Sequence, residues 1–389
     1  MIDKKKMSDF SLESKFVHGY DGIDPLTGAV SFPIYQTSTY KNPALGSDIK
    51  YTYTRSGNPT RNELECAIAL YEGGTDGFAF STGLAAVLSV FSLLKSGDHV
   101  IISDDIYGGV HRLIEELWRD YGVEFDYVDI GDVDAVKKLV KKNTKMIYAE
   151  TPTNPMMKVA DIKALSEISK PIGAYLVVDN TFLTPYFQRP IEHGADIVIH
   201  SATKYLAGHH DTMAGLVVVN DEKTAERIKL IQKTEGTGLA PFDCWLLLRG
   251  MKTLELRMKR HEENAIKIAS WLKNNKNVEK VYFVGLPEHP SYEVTKRQCS
   301  GFGGMLSFTL KDEKMVEKAL CGYKMIMFAE SLGGTTTLIT YPMTQTHNSV
   351  PEEVRNKLGI TNKLIRLSVG IEPAEDIIKD LESVLGKNG

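Results

Sequence analysis

The sequence lacks the features that mark secreted and membrane-bound proteins. Its 389 residues include four scattered cysteines, Cys66, Cys244, Cys299 and Cys321, with no CxxC pair. This pattern favours reduced thiols over a disulfide framework or a zinc site. No stretch approaches the ~20 apolar residues that a membrane helix needs, and no apolar segment follows the lysine run near the N-terminus. We therefore expect a soluble, cytoplasmic protein with no membrane partner.

The chain also lacks a strong excess of charge. It has 46 Lys and Arg residues against 50 Asp and Glu residues, for a formal net charge of −4. This balance gives no electrostatic reason to expect nucleic acid as a partner. A chain of this length, with 42% apolar residues, can bury more than one core, so two or more domains are expected.

Short apolar runs alternate with helical segments between Phe78 and Val219. This alternation predicts an α/β fold with a doubly wound, mostly parallel sheet. The residues before it are rich in Gly, Pro, Ser, Thr and Tyr, which is typical of an irregular arm that packs on a partner. Thr60 is placed to cap a helix that begins near Arg61.

After Val219 the pattern becomes mainly helical. Apolar residues recur at three- and four-residue steps from Met251 to Leu272, and Gly250 is a candidate hinge before them. Three later strands indicate a smaller α/β domain, over residues 281–283, 305–310 and 364–369. The expected parts are an arm at 1–60, a large domain at 61–250 and a small C-terminal domain at 251–389.

Two apolar runs in the middle of the chain each end in a reactive polar residue. One run, at 176–178, leads into Asp179, and the other, at 197–199, leads through His200 to Lys204. Parallel strands deliver such residues to one cleft at their C-terminal ends. An acid and a lysine suit pyridoxal phosphate (PLP), whose aldehyde binds a lysine and whose ring nitrogen needs a carboxylate. A surface ion pair is about equally compatible with this pair alone.

Three further positions are compatible with the same cofactor, although each also has a structural explanation. The turn Ser81-Thr82-Gly83-Leu84 precedes a helix, so its backbone N–H groups can bind a phosphate or simply begin the helix. Tyr107 follows a strand and can stack on a planar ring or pack in the core. Asn154 lies between two prolines that end another strand.

Taken together, the motifs resemble those of the PLP-dependent cysteine and methionine metabolism (trans-sulfuration) family over residues 14–385. They occur in the chain as YTYTRSGNPTRNELE, FSTGLAA, DDIYGG, ETPTNP, VVDNTFLTP, SATKYLAGHHD, AESLGG and LIRLSVGIE. The resemblance implies fold type I of PLP-dependent enzymes, the aspartate aminotransferase-like fold. It also implies an enzyme that acts on an amino acid.

The resemblance implies a role for each matching residue. Lys204 matches the lysine that binds the cofactor aldehyde and later moves protons, and Asp179 matches the acid at the ring nitrogen. Tyr107 matches the stacking tyrosine and Asn154 an amide beside the ring and the substrate carboxylate. The implied phosphate ligands are Ser201, Thr203 and the backbone N–H groups of Gly83 and Leu84.

The remaining matches concern the substrate and a second subunit. Arg366 matches the arginine that binds the substrate α-carboxylate, and Ser331 a residue whose backbone supports that carboxylate and Lys204. Tyr53 and Arg55 match residues that cross a dimer interface into the neighbour's phosphate site. Tyr53 and Tyr107 are also the implied acid–base groups near the leaving group. The family usually forms tetramers, so we expect a homo-oligomer with shared active sites.

The reaction is predicted as cleavage of a C–S bond in L-cystathionine, by γ- or β-elimination. Glu330 is typical of relatives that bind the distal ammonium of cystathionine and favours the γ-type. Gly109 replaces a cysteine usual in methionine γ-lyases and argues against that activity. A γ-replacement enzyme, of the cystathionine γ-synthase or O-acetylhomoserine sulfhydrylase type, is the alternative, and a PLP-binding protein without turnover is a remote one.

Three segments depart from the family pattern. Thr335-Thr336-Thr337 and the run from Tyr341 to His347 alter the expected substrate end of the site. His209-His210-Asp211 replaces a His-Ser-Asp loop, and we expect no metal there.

Overall fold

Two β-sheets organise the chain in the computed structural model, which describes residue 3, residues 7–348 and residues 350–388. The predicted arm therefore begins partly outside the described residues, at positions 1, 2 and 4–6. The boundaries at residues 60 and 250 stay predictions.

The larger sheet has seven strands in the order β1-β7-β6-β5-β4-β2-β3. Strands β2 to β6 are mutually parallel, and β7 runs antiparallel to both β1 and β6. The predicted doubly wound, mostly parallel sheet is confirmed. The strands are β1 (Asp76–Phe80), β2 (His99–Ser103), β3 (Glu124–Val128), β4 (Thr144–Glu150), β5 (Tyr175–Asp179), β6 (Ile197–Ser201) and β7 (Gly215–Val219).

Helices and short helical turns connect these strands. The strands of the larger sheet bury apolar side chains on both faces, as expected for a parallel sheet covered by helices on each side. The helices up to this point are α1 (Leu12–His18), α2 (Pro59–Glu72), α3 (Gly83–Phe91), α4 (Gly108–Leu113), α5 (Val133–Leu139), α6 (Ile162–Ser169) and α7 (Thr184–Phe187). A π-helical turn at Ile114–Trp118 continues α4, and 3₁₀ turns lie at Lys170–Ile172 and Pro190–His193.

The smaller sheet has five strands in the order β10-β11-β12-β9-β8 and is mostly antiparallel. It has its own buried apolar cluster, so the predicted smaller α/β unit is present. Its strands are β8 (Val278–Tyr282), β9 (Met305–Leu310), β10 (Met327–Phe328), β11 (Leu338–Thr340) and β12 (Leu364–Ser368). The remaining helices are α8 (Glu222–Glu235), α9 (Pro241–Met251), α10 (Leu254–Lys273), α11 (Tyr292–Gln298), α12 (Val316–Cys321), α13 (Glu352–Leu358) and α14 (Ala374–Leu385), with a 3₁₀ turn at Glu313–Met315.

The predicted cap of α2 was wrong. Asn58 caps the helix, because its side-chain oxygen accepts hydrogen bonds from the N–H groups of Thr60 and Arg61. The Thr60 hydroxyl instead donates to Pro33 O and accepts from Tyr35 N. Thr60 therefore ties the arm to α2.

The predicted apolar stripe from Met251 to Leu272 is buried, but two helices carry it, because α9 ends before α10 begins. Gly250 lies inside α9 and not at a free hinge. A Cβ atom at this position would lie 2.3 Å from the Ala207 carbonyl oxygen. Gly250 therefore lets α9 approach the segment that follows Lys204.

All four cysteines are unpaired. Within the described part of the chain, no helix combines the length and apolarity needed to cross a bilayer.

Candidate active site

A cavity of about 1480 Å³ lies at the C-terminal ends of β4, β5 and β6, where residues of the smaller sheet close over it. All of the predicted site residues except Tyr53 and Arg55 line this cavity. They are Gly83, Leu84, Tyr107, Asn154, Asp179, Ser201, Thr203, Lys204, Glu330, Ser331 and Arg366. The structure therefore brings together motifs that are far apart in the sequence.

Lys204 lies in the turn after β6, and its Nζ donates a 2.8 Å hydrogen bond to Ser331 Oγ. Burial, reinforced by the positive charge of Arg366, lowers the pKa of Lys204 to about 8. A much larger fraction of this amine is therefore unprotonated at neutral pH than in a free lysine. An unprotonated amine is the form that attacks an aldehyde or accepts a proton.

Asp179 ends β5, and Thr181 fixes its carboxylate. Asp179 Oδ1 accepts hydrogen bonds from Thr181 N at 3.0 Å and from the Thr181 hydroxyl at 2.6 Å. The same hydroxyl accepts from Ser201 N at 2.8 Å, so Thr181 joins the ends of β5 and β6. Burial raises the pKa of Asp179, and a cation in the cavity would oppose that shift. Sequence reasoning missed Thr181, although a hydroxyl two residues after a strand-end acid is a recognisable turn signal.

Glu150, at the end of β4, is a second carboxylate of the cavity, buried where Asp179 is half-buried, and the sequence reasoning did not select it. It accepts hydrogen bonds from Tyr107 N at 3.0 Å and from Asn154 N at 2.9 Å. Burial and the nearby Asp179 carboxylate raise the pKa of Glu150 well above its usual range. Glu150 thus fixes the backbone of two predicted cofactor-binding residues.

The start of α3 offers backbone donors to the cavity. The Thr82 hydroxyl accepts a hydrogen bond from Ala85 N, and Thr82 O accepts one from Ala86 N. The first two N–H groups of the helix, those of Gly83 and Leu84, lie at the positive end of the helix dipole. A Cβ atom on Gly83 would lie 3.0 Å from Ser201 Cβ and Oγ. The absence of a side chain on Gly83 therefore lets the start of α3 lie close to the end of β6.

Thr203 lines the cavity, and its predicted contact with a phosphate stays a prediction. Its hydroxyl donates to Ala214 O at 3.2 Å and accepts from Ala214 N at 3.0 Å, so it also closes the loop before β7.

The Tyr107 ring covers Gly109. A Cβ atom on Gly109 would lie 2.5 Å from the ring carbon Cε1. Any side chain at position 109, including the cysteine of methionine γ-lyases, would displace the ring from this position.

Arg366, on β12, is almost fully buried and forms the opposite wall of the cavity. Its Nη1 donates to Asn154 Oδ1 at 2.8 Å, and its Nη2 donates to Ser331 O at 2.8 Å and to Thr340 Oγ1 at 3.0 Å. Burial lowers its pKa to about 10, and Nε is buried without a hydrogen-bond partner in the described structure. A buried guanidinium without a paired carboxylate is suited to bind one from a ligand.

Ser331 adopts a left-handed backbone conformation with φ of 82°, which costs free energy for a residue other than glycine. In this conformation its hydroxyl accepts from Lys204 while its carbonyl accepts from Arg366. The prediction gave the backbone both tasks, whereas the side chain contacts the lysine. The adjacent Glu330 is exposed at the cavity rim.

The threonine run separates into a structural and a cavity-facing part. The buried Thr337 binds Glu372 through its N–H at 2.7 Å and its hydroxyl at 2.9 Å. Thr336 lines the cavity, as do Gln345 and Thr346. These polar, uncharged residues belong to the segments that depart from the family pattern, at the end of the cavity where the substrate is expected.

Tyr53 and Arg55 lie outside this cavity and are exposed. The Arg55 guanidinium stacks 5.6 Å from the Tyr53 ring centroid and donates to Lys233 O at 3.0 Å. Their predicted position in a neighbour's site stays a prediction. Within the described residues, no group of three or more His, Cys, Asp or Glu side chains is placed to hold a metal ion, and the His209–Asp211 loop is no exception.

Comparison with known proteins identifies this arrangement. The family model described as "Cys/Met metabolism PLP-dependent enzyme" matches residues 13–386. The chain belongs to this family. A cystathionine β-lyase of Lactococcus lactis subsp. cremoris is 51% identical over 97% of this chain and 99% of its own. A Bacillus subtilis cystathionine γ-synthase/O-acetylhomoserine (thiol)-lyase is 47% identical over 96% of each chain. The crystal structure of Lactobacillus plantarum cystathionine γ-lyase complexed with L-serine superposes with a TM-score of 0.94 at 42% identity, covering 97% of this chain and 99% of that one.

Members of this Cys/Met metabolism family use PLP, and the cavity fits that group. It combines a lysine of lowered pKa, a half-buried carboxylate at a neighbouring strand end and a helix start with hydroxyl groups beside it. These suit an aldehyde, a pyridine nitrogen and a phosphate.

Proposed function

We propose that this enzyme cleaves the C–S bond of L-cystathionine by elimination. The observation that carries the proposal is the Ser331 bridge between Lys204 and Arg366, because it places a proton acceptor beside a carboxylate-binding guanidinium. An α-amino acid needs both groups at once. The relatives named for β-lyase, γ-lyase and γ-synthase reactions support an amino acid of this type.

We assign PLP to the floor of the cavity. Lys204 would bind its aldehyde, Asp179 its ring nitrogen, and Ser201, Thr203 and the N–H groups of Gly83 and Leu84 its phosphate. Tyr107 would cover the ring and Asn154 would contact its edge. When bound, PLP withdraws electrons from the substrate Cα, which makes its proton acidic.

Lys204 is the proposed base that removes the Cα proton. Ser331 Oγ fixes the position of Nζ, and the lowered pKa keeps part of the amine unprotonated near neutral pH. A base works best when its pKa lies near the working pH. Lys204 can also donate that proton to a carbon atom of the substrate in a later step.

Arg366 is the proposed ligand of the substrate carboxylate. Asn154, Ser331 and Thr340 hold the guanidinium by hydrogen bonds, so little side-chain freedom is lost when a carboxylate binds. This fixed carboxylate would orient the Cα–H bond toward Lys204.

The leaving sulfur needs a proton, and Tyr107 is the proposed donor in the same chain. Its hydroxyl-bearing ring is at the cavity surface, while its backbone is held by Glu150. Tyr53 of a second subunit is the proposed helper.

Glu330 places γ-elimination ahead of β-elimination in this proposal, because the family resemblance associates a glutamate at this position with γ-type relatives. Its exposed carboxylate lies at the cavity rim, on the residue next to Ser331. It can bind the distal ammonium of cystathionine there. γ-Elimination yields cysteine, 2-oxobutyrate and ammonia, whereas β-elimination yields homocysteine, pyruvate and ammonia.

A dimer with shared sites is part of the proposal, and pairing of dimers into a tetramer is its extension. The arm exposes large apolar side chains such as Leu26, Val30 and Leu45, together with Tyr53. An arm that exposes several large apolar side chains supports an interface with a second subunit.

Identification of the keto acid formed from L-cystathionine tests the function. 2-Oxobutyrate would support γ-cleavage, and pyruvate would show β-cleavage. If neither forms while an activated homoserine ester and cysteine react, the enzyme catalyses γ-replacement. Glu330→Gln should raise the KM for cystathionine about tenfold, because it removes one charge pair, with Glu313→Gln, a surface glutamate outside the cavity, as the control.

A further inference from the structure

The last residue of α2, Glu72, is fully buried and is not among the residues that line the cavity. Its Oε1 accepts a 2.7 Å hydrogen bond from His200 Nε2 and a 3.0 Å hydrogen bond from Asn180 Nδ2. Both partners are also fully buried. One carboxylate oxygen therefore joins two neighbouring strand ends.

The two partners are adjacent to residues assigned to the cofactor. Asn180 directly follows Asp179 at the end of β5, and His200 directly precedes Ser201 on β6. The backbone links the same strands, since Asn180 N donates to Ile199 O at 2.9 Å. Movement of either strand end would thus move Asp179 relative to Ser201.

Further hydrogen bonds fix the side-chain amide of Asn180 in one conformation. Its Nδ2 also donates to Gln188 O at 2.8 Å, and its Oδ1 accepts from Gln188 Nε2 at 2.9 Å. Glu72 Oε2 and His200 Nδ1 are buried with no hydrogen-bond partner in the described structure. Such unpaired buried atoms cost free energy. A role in packing alone does not explain why this cost is kept.

We propose that Glu72 is a positioning residue for the cofactor, which acts as a shared acceptor that fixes the β5 and β6 ends through Asn180 and His200. Glu72 does not line the cavity, so it acts through these two neighbours. Its role is to hold Asp179, Thr181 and Ser201 in register. The inference rests on the assignment of Asp179 and Ser201 to PLP and not on which substrate is cleaved.

The test compares PLP affinity of Glu72 variants with that of matched variants of Glu65. Glu65 lies on the same helix and is also largely buried, but it binds Ala79 N, Gln232 and Arg61, none of which lines the cavity. Glu72→Leu removes the acceptor, whereas Glu72→Gln retains an acceptor oxygen. The readouts are the PLP dissociation constant of the cofactor-free protein and the pH dependence of the bound cofactor's visible absorbance.

Glu72→Leu should raise the PLP dissociation constant by about tenfold or more, as loss of a residue that orients metal-binding side chains does for metal affinity. It should also move the pH at which the absorbance changes. Glu72→Gln should stay within about threefold of the wild type, and Glu65→Leu should leave the pH dependence unchanged.

Equal losses in Glu72→Leu and Glu65→Leu would overturn the proposal, and so would an equal loss in Glu72→Gln. If Glu72→Leu does not fold, His200→Phe replaces it, because it keeps a ring but cannot donate. Unchanged PLP affinity and pH dependence in that variant would equally contradict the role. These readouts need no turnover, so they remain valid if cystathionine proves not to be the substrate.

Discussion

At the scale of single residues, the site stores unfavourable free energy that ligands can release. Desolvation lowers the pKa values of the cations Lys204 and Arg366, and it raises the pKa values of the acids Glu150 and Asp179. Ser331 adds backbone strain. Perturbed groups of this kind cluster at functional sites because a bound ligand supplies the missing partners.

The lowered pKa of Lys204 predicts a pH-dependent gain in stability on its removal. The folded pKa of about 8 lies below the unfolded value of 10.5, so the folded state binds the proton less well. This destabilisation is complete below pH 8 and disappears as the pH rises through 10.5. Lys204→Met should therefore raise the free energy of unfolding of cofactor-free protein by roughly 2 kcal/mol at pH 7.

Urea denaturation at pH 7 and at pH 10 measures this difference. The gain should be smaller at pH 10. A gain of equal size at both pH values would contradict the assignment of the lowered pKa to this amine.

Arg366→Lys should raise the KM for the amino-acid substrate by about ten- to a hundredfold, because an ammonium cannot replace the bidentate, fixed guanidinium. PLP affinity should change little, since the arginine is assigned to the substrate. Steady-state kinetics and a PLP titration separate these two effects. Arg249→Lys, on α9 and outside the cavity, is the matched control.

At the scale of secondary-structure elements, the site depends on close approach between α3, β6 and the loop that carries Ser331. Gly83 leaves little room for a side chain beside Ser201, and Gly333 has none beside the Tyr205 backbone, where a Cβ atom would lie 2.7 Å from N. These contacts bring donors from separate elements to one cavity.

Gly83→Ala should weaken PLP binding several-fold while leaving the thermal midpoint nearly unchanged. The added Cβ would lie 3.0 Å from Ser201, so the start of α3 must move by a few tenths of an ångström. Equilibrium titration of the cofactor-free protein measures the effect. Ser92→Ala, at the other end of α3, serves as the control, and an equal loss there would assign the effect to the helix as a whole.

Much of this arrangement follows from sequence patterns, because alternating apolar runs predict β2, β4, β5 and β6 and place Asp179 and Lys204 at strand ends. The cap at Asn58 was missed because Asn58 and Thr60 are both suitable capping residues and lie two positions apart. Only the tertiary contact of the Thr60 hydroxyl with Pro33 O shows that Thr60 binds the arm instead.

Long-range partners are the part that local patterns do not contain. Glu150 is one strand-end acid among several, and Glu72 is one of three glutamates on a helix that has no exposed residue. Their functions depend on which elements pack beside them. Arg366 and Ser331 were found in advance through family resemblance, since periodicity gives no reason to bring β12 to the ends of β5 and β6.

At the scale of the whole molecule, one chain provides a cavity that lacks the proposed contributions of Tyr53 and Arg55. Both residues are exposed on the arm and away from their own cavity. A site completed by a second subunit would make activity depend on assembly.

Mixed assemblies test this sharing. Arg55→Ala should weaken PLP retention, and Lys204→Ala should be inactive. Unfolding and refolding the two variants together should restore activity, up to about a quarter of the wild-type value, because a mixed dimer contains one site free of both changes. Activity that stays at the level of the separate variants would contradict shared sites, and wild-type protein refolded in parallel controls for recovery.

The central claim is that Lys204 removes the Cα proton of cystathionine in a PLP-dependent C–S cleavage. The most direct measurement is the rate of keto-acid formation from L-cystathionine by PLP-loaded wild type and by Lys204→Ala. We expect steady keto-acid release from the wild type and a rate lower by about 10²- to 10⁴-fold in the variant, the usual contribution of a positioned acid–base group. Equal rates in the two proteins, or no keto acid from the wild type, would contradict the account.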